Sequence, residues 1–294
     1  MHDVKRIFGW LLAGLLTHSA SAAPISVVDD HGQTVQLAQP AQRVISLAPH
    51  VTELIFAAGG GGKLVGTVTA SDFPAEAKRL PKIGDSRQLD LERIIALKPD
   101  LLVVWLHGNA ERQLEPLRRL GIPLFYSEPK TLAAIPDSLT RLGLLLGSAP
   151  RAQQAAQAYR QRWQQLAQRY QQRPPLRVFY QVWNKPLYTL NGQHIVSDVI
   201  RLCGGVNIFS GLPVTAPTVT QEAVLAENPQ VIIAGDMAGR ASAGLAMWRA
   251  FPSLEAVRRG HLFTVDADIL HRPGPRILDG AAALCAQLDR ARAP

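Results

Sequence analysis

The stretch SAPRAQQAAQAYRQRWQQLAQRYQQR at residues 148–173 predicts one long helix, because no glycine or proline interrupts it between Pro150 and Pro174. Its apolar residues recur at spacings of three and four, which puts them on one helical face, while Gln and Arg fill the other. These residues are Ala152, Ala155, Ala156, Tyr159, Trp163, Leu166, Ala167 and Tyr170. Ser148 is expected to cap the helix. About 23 residues at about 1.5 Å each give about 35 Å, enough to cross a small domain.

Short apolar strands alternate with helices on both sides of this stretch. Before it, a hairpin at 25–38 is followed by strands at 43–47, 64–68, 101–105 and 123–126 and helices at 52–58, 91–97, 111–120 and 135–146. After it, strands are expected at 177–182, 231–234 and 262–265, and helices at 196–201, 221–225 and 277–288. Such alternation predicts parallel sheets covered on both faces. We therefore expect an α/β protein with lobes at 23–147 and 174–294, joined by the single helix at 148–173.

Residues 1–22 have the features of a secretory signal. Lys5 and Arg6 are followed by a ten-residue apolar run at 7–16 and by small residues at 20–22. That run is too short for a membrane helix, which needs about 20 residues. No cysteine stands at the expected cleavage site, so no lipid anchor is predicted and the mature chain is expected to be exported and soluble.

The charge balance does not indicate a nucleic-acid partner. The chain has 31 Lys and Arg against 23 Asp and Glu, a formal charge of +8. Part of this excess lies in the leader, and the remaining Arg residues are scattered instead of forming a run interleaved with aromatic residues. With 47% hydrophobic residues the chain can fill a core, which excludes wholesale disorder.

Cys203 and Cys285 are the two cysteines of the chain. Two cysteines cannot build a zinc ribbon or a four-cysteine iron–sulfur site. In an oxidising compartment, an even count favours a disulfide between them, and two separate buried thiols are the alternative.

Motifs for catalysis or a bound metal are missing from the sequence. It contains neither G-x-S-x-G nor H-E-x-x-H. GGGGK at 59–63 lacks the Ser or Thr of a phosphate loop and follows a helix, so a helix stop is the better interpretation. The histidines after the leader are far apart in sequence. A secreted enzyme is therefore the weaker hypothesis, and no resident metal or cofactor is expected.

Two α/β lobes leave a cleft, and ligands of parallel sheets bind beyond the carboxyl ends of the strands. Aromatic residues follow or end predicted strands at Phe73, Trp105 and Trp183, and they suit a flat, bulky ligand unless they only fill the core. The polar candidates at such ends are His50, His107, Asp268 and Arg272. Histidines in loops usually belong to the polar surface of a protein and bind no ligand. For Asp268 and Arg272, the alternative is an ion pair at the surface.

Two glutamates occupy matching places in the two halves. Glu53 (HVTELIF) and Glu222 (VTQEAVL) each lie where a helix is expected to start. The helix dipole alone favours an acid in a first turn. Paired on two lobes, these acids would also suit docking to basic pockets of a partner.

Several segments resemble a known family of transport proteins. They are RVISLAPHVTELIFAAG (43–59), LERIIALKPDLLVVW (91–105), LHGNAERQ (106–113), LCGGVNIF (202–209), TQEAVLAENPQVII (220–233) and HRPGPRI (271–277). They resemble periplasmic substrate-binding proteins of ABC importers, in the class with a rigid helix between its lobes that serves cobalamin, haem and iron–siderophores. HGNAERQLEPLRRLGI at 107–122 is most similar to the cobalamin-binding members.

The resemblance implies a periplasmic protein that captures cobalamin between its lobes and delivers it to a membrane permease. Because one stiff helix joins the lobes, we expect small hinge motion on binding, and we expect the free protein to be a monomer. Glu53 and Glu222 match glutamates that engage the permease, and Cys203 and Cys285 match a disulfide. Ligand contacts match at Trp105, Asp268, Arg272 and Phe73, the last where a tyrosine is usual. Ser86 and Ala216 stand where those members have pocket tryptophans. Haem or an iron–siderophore is the alternative ligand.

Overall fold

The computed structural model describes residues 24–85, 87–109, 111–236 and 241–293. The predicted signal at 1–22 lies outside these residues. Within them, the helices are all too short or too polar to cross a membrane.

The N-terminal lobe is a four-stranded parallel sheet with a separate hairpin beside it. The hairpin consists of β1 Ile25–Val28 and β2 Thr34–Leu37, and the sheet of β3 Val44–Ser46, β4 Leu64–Thr67, β5 Leu101–Trp105 and β6 Leu124–Ser127. Its strand order is β4-β3-β5-β6. The helices are α1 Pro49–Ala57, α2 Leu91–Ala96, α3 Glu111–Arg119 and α4 Ile135–Leu145. The hairpin and all four sheet strands confirm the sequence pattern.

One helix of 22 residues, α5 (Ala149–Tyr170), joins the lobes. Its length is about 33 Å, and its buried residues Ala152, Ala156, Tyr159 and Tyr170 lie on the predicted apolar face. A Cβ at Gly143 of α4 would lie 2.3 Å from the Ala152 side chain, so the two helices approach closely only because residue 143 has none. The Ser148 hydroxyl does not cap α5, contrary to expectation. It donates to the Ala58 carbonyl at the end of α1 instead.

The C-terminal lobe repeats the same architecture. Its strands are β7 Leu176–Gln181, β8 Trp183–Asn184, β9 Leu187–Tyr188, β10 Gly205–Asn207, β11 Val231–Asp236 and β12 Leu262–Asp266. The parallel sheet has the order β10-β7-β11-β12, and β8 pairs with β9 in a separate two-stranded sheet. The helices are α6 Ile195–Leu202, α7 Gln221–Glu227, α8 Ala241–Ala246, α9 Glu255–Arg258, α10 Ala267–Leu270 and α11 Ile277–Arg292. The short elements β8–β10 and α8–α10 were not predicted.

The two lobes correspond element by element. β5 and β11 hold the same third position in their sheets, and each is preceded by a short helix, α2 or α7, that begins ten residues before the strand does. One continuous buried apolar cluster runs from the N-terminal lobe through α5 into the C-terminal lobe. A shared core of this kind resists large hinge rotation, because interiors are packed too densely to shear freely.

Cys203 and Cys285 form a disulfide with an S–S distance of 2.02 Å. It ties the end of α6 to the middle of α11, and both residues are fully buried. The predicted disulfide is confirmed, and the alternative of two separate thiols is wrong.

Candidate functional site

The carboxyl ends of the parallel strands of both lobes lie near their interface. In the N-terminal lobe, α1 follows β3, Trp105 ends β5 and Ser127 ends β6. In the C-terminal lobe, β12 leads through α10 to His271 and Arg272. Arg272 reaches the loop after β4 by donating to the Asp72 carboxylate at 2.7 Å. Ligands of α/β folds usually bind at the carboxyl ends of the strands. In this protein those strand ends lie where the two lobes touch.

Glu53 is the buried centre of a contact between the lobes. It is 4% exposed. Arg276 binds it with two hydrogen bonds, from Nη2 to Oε1 at 2.5 Å and from Nε to Oε2 at 2.9 Å. Arg272 adds a third, from Nη1 to Oε1 at 3.3 Å. This bidentate geometry is the strongest form of arginine–carboxylate pairing, and the hydrogen bonds to Glu53 raise the pKa of the Arg276 guanidinium.

The position of Glu53 does not fit the docking role predicted for it. α1 begins at Pro49, so Glu53 lies in its second turn and not, as expected, at the helix start. Proline suits the first position of a helix, because the backbone N–H groups of the first turn have no partner within the helix and proline lacks that N–H. A carboxylate that is buried and held by two arginines cannot reach into a partner protein. Glu53 instead fastens α1 to the segment before α11.

Arg272 and Asp268 belong to the same contact. The Arg272 guanidinium donates to Asp72 at 2.7 Å, to the Ala70 carbonyl at 3.4 Å and to Asp268 at 3.3 Å. The Asp268 side chain is mostly exposed. The predicted ion pair therefore exists, but the Arg272 side chain is largely covered between the lobes while the Asp268 side chain faces solvent.

Phe73 is packed against an arginine of the other lobe. The Arg276 guanidinium carbon lies 3.9 Å from the ring centre, which is a cation–π contact. One ring face is thus covered, and 42% of the residue stays exposed. A cavity of about 310 Å³ lies beside this contact, lined by residues of both lobes and by Arg151 of α5.

Trp105 and His50 form a second aromatic contact at the sheet edge. Their rings meet edge to face at 84°, with centres 5.5 Å apart. Asn109 accepts from the Trp105 backbone N–H at 2.9 Å, and Gly108 lies directly on the indole, where a Cβ would clash at 1.7 Å. Gly108 and Asn109 of the HGNAERQ segment thus hold Trp105 in place at the end of β5. His50 is 3% exposed.

His107 and Trp183 lie farther out than the other candidates. The His107 imidazole is mostly exposed and bonds to the Glu128 carboxylate. Trp183, in β8, is 38% exposed and donates through Nε1 to the Lys185 carbonyl at 3.0 Å. Ser86, one of the two positions where a pocket tryptophan is missing, lies outside the described residues.

Sequence reasoning missed Arg276, Asp72 and Glu92. Arg276 occupies the N-cap of α11, where the helix dipole disfavours a cation. A basic residue in that place is a signal for a carboxylate partner. Glu92 lies in the first turn of α2 and is exposed, as Glu222 is in α7.

Within the part of the chain that the structure describes, no three His, Cys, Asp or Glu side chains are grouped to hold a metal ion.

Comparison with known proteins assigns the chain to a family. The model of a family described as periplasmic binding protein matches residues 44–269. The vitamin B12-binding protein of Vibrio cholerae serotype O1 is 42% identical over 254 residues, covering 86% of this chain and 91% of that protein. The crystal structure of periplasmic vitamin B12 binding protein BtuF of Vibrio cholerae superposes with a TM-score of 0.81 at 41% identity, covering 87% of this chain and 99% of that one.

A solved structure with a different ligand in its name is also similar. A periplasmic haem-binding protein from Pseudomonas aeruginosa is 30% identical, with a TM-score of 0.73, and the match covers 84% of this chain and 92% of that one. The shared architecture thus extends over proteins named for either ligand. The family model and the identity across both lobes agree that the chain belongs to the periplasmic binding protein family.

Proposed function

We propose that this chain captures cobalamin or a related corrinoid between its lobes in the periplasm and delivers it to an ABC import permease, without catalysing a reaction. The observation that carries the proposal is the 42% identity, across both lobes and α5, to a protein named for binding vitamin B12. The protein is expected to act as a monomer when free.

The chemistry of the strand ends supports a flat, bulky ligand. Trp105 ends β5 and Trp183 follows β7, so each lobe has an aromatic side chain at the carboxyl end of a strand. Aromatic faces stack well on extended planar groups. Asp268 and Arg272 add polar contacts suited to the amide groups at the rim of a corrin, because a guanidinium donates and a carboxylate accepts hydrogen bonds.

Purified protein titrated with cyanocobalamin in a calorimeter is expected to give a one-to-one isotherm of sub-micromolar affinity. The same titration with hemin is the comparison, because a haem-binding protein shares the fold at 30% identity and two expected pocket tryptophans are missing. Absence of heat with cyanocobalamin together with clear hemin binding refutes the corrinoid assignment in favour of haem.

For docking to the permease we propose Glu92 and Glu222 as the paired contacts. Both are exposed acids in the first turns of equivalent helices, and each helix is capped by its own N-cap side chain, Asp90 or Thr220. Hydrogen bonds from its own backbone N–H and from the Thr220 hydroxyl lower the pKa of Glu222, which keeps it charged. Two equivalent acids, one on each lobe, suit a permease with two basic pockets.

The double variant Glu92→Ala/Glu222→Ala is expected to reduce uptake of radiolabelled cyanocobalamin into cells more than about tenfold, since losing one partner of an interfacial charge pair costs about 2–5 kcal/mol. Ligand affinity of the purified variant is expected to stay unchanged. Glu76→Ala, an exposed acid of the N-terminal lobe outside these helices, serves as the matched control. Normal uptake by the double variant would exclude the docking role.

A further inference from the structure

Phe73 is an aromatic residue that stays open to solvent at the contact between the lobes. It lies in the loop after β4, on the carboxyl side of the N-terminal sheet, and 42% of the residue is exposed. It also lines the cavity of about 310 Å³ to which both lobes contribute. Its ring can therefore be reached by a ligand that lies beyond the carboxyl ends of the strands.

One face of this ring is covered by an arginine of the other lobe. The guanidinium carbon of Arg276 lies over the ring, 3.9 Å from its centre. A guanidinium is flat and more weakly hydrated than an ammonium group, so it can stack on an aromatic face. The exposed area of Phe73 is therefore on the opposite face and the edges of its ring.

Arg276 is itself held in one orientation. Its guanidinium donates to the Glu53 carboxylate from Nη2 at 2.5 Å and from Nε at 2.9 Å. Two such bonds fix the plane of the guanidinium as well as its position. Since Glu53 is buried in α1, the ring of Phe73 rests on a flat group whose orientation is set from within the N-terminal lobe.

The loop that carries Phe73 is also anchored next to the ring. The Asp72 carboxylate accepts from Arg272 at 2.7 Å, and Ser71 is buried at 2% exposure. The backbone before the ring is thus tied down, and Arg276 restricts the ring itself. A side chain that is already ordered loses little conformational entropy when a ligand packs on it.

We propose that Arg276 is a positioning residue for the ligand, which holds the Phe73 ring in place so that its uncovered face packs against the bound corrinoid. Glu53 acts one step further back, by fixing the plane of Arg276. The C-terminal lobe in this way prepares a contact surface on the N-terminal lobe before the ligand arrives. The inference deepens the proposed function and rests on it, since it names how one part of that site is preorganised.

Fluorine NMR tests whether the ligand reaches the ring. A protein that carries 4-fluorophenylalanine only at position 73 is titrated with cyanocobalamin. We expect its fluorine resonance to shift and to stop shifting at one equivalent, because the corrin then lies over the labelled ring. The same label at position 263 is the control, since Phe263 lies near the amino end of β12, and its resonance is expected to stay in place.

Substitutions measure what the positioning contributes to affinity. Phe73→Ala is expected to weaken cyanocobalamin binding about tenfold, the upper end of what an aromatic contact adds beyond its buried area. Arg276→Lys keeps a positive charge beside Glu53 but offers no flat group to the ring. It is expected to weaken binding about three- to fivefold, because the ligand must then order the ring itself. Phe73→Tyr keeps the ring face and is expected to stay within about twofold of wild type.

The double variant separates positioning through the ring from a general effect on the fold. In a Phe73→Ala protein, Arg276→Lys is expected to change the affinity by less than about twofold, because the group through which it acts is gone. Arg290→Lys is the matched control. Arg290 lies near the other end of α11 and over the Phe263 ring, with 5.4 Å from its guanidinium carbon to the ring centre, and its substitution is expected to leave the affinity unchanged.

The outcomes separate the inference from the function on which it rests. Binding of cyanocobalamin that leaves the fluorine resonance at position 73 in place overturns the inference alone. An equal loss of affinity from Arg276→Lys with and without the Phe73 ring also overturns it, because the arginine then acts on the fold and not through that ring. A wild-type protein that binds no corrinoid overturns the proposed function and the inference together.

Discussion

Replacing Glu53 with alanine is expected to lower the free energy of unfolding by about 3–5 kcal/mol, because it leaves the largely covered Arg276 guanidinium without its carboxylate partner. The carboxylate is nearly inaccessible and accepts three hydrogen bonds from Arg272 and Arg276. The Arg276 side chain is itself largely covered and also lies on Phe73. Urea unfolding followed by circular dichroism measures the change.

An exposed glutamate provides the comparison for that variant. Glu76→Ala removes an acid of the same lobe at the surface, where substitutions usually change stability by less than about 0.5 kcal/mol. A Glu53→Ala protein as stable as Glu76→Ala would contradict the assignment of Glu53 as a structural tie between the lobes. It would also reopen the possibility that Glu53 is free for docking.

Removing the disulfide with Cys203→Ala/Cys285→Ala is expected to cost about 4.5 kcal/mol. The two residues are 82 positions apart, and in the chain-entropy description a loop of that size restricts the unfolded chain by about this amount. Both cysteines are replaced, because a single substitution would leave the other one as an unpaired buried thiol. Urea midpoints of the variant and of the oxidised wild type give the difference.

Reduction of the wild-type protein gives an independent check. With reductant present, its urea midpoint is expected to approach that of the double variant, whose own midpoint does not move. Thiol titration after denaturation without reductant is expected to find no free sulfhydryl in the wild type. A double variant as stable as the oxidised protein would show that the bridge adds nothing to folding stability.

The architecture was predictable because its signals are local. The 3.6-residue periodicity of 148–173 and the alternation of apolar strands with helices appear within short windows, and each sheet strand of the N-terminal lobe was placed to within a residue or two. β8–β10 and α8–α10 were missed because elements of two to six residues leave no periodicity to detect.

The site was less predictable because its decisive contacts are not local. Glu53 and Arg276 are 223 residues apart, so nothing near either one indicates the pair. Glu53 was misplaced because α1 begins at Pro49, three residues before the predicted helix start. His50 was recognised as a candidate from its place after β3. Its neutral ring and partnerless Nε2 depend on burial that only the folded chain provides.

The central claim is that the protein selects a corrinoid, and a direct competition tests it. The purified protein is incubated with equal amounts of cyanocobalamin and hemin, passed through a gel-filtration column, and the absorption spectrum of the protein peak is recorded. The account predicts the bands of a corrin in that peak and no Soret band of haem. A protein peak that carries haem alone would contradict it.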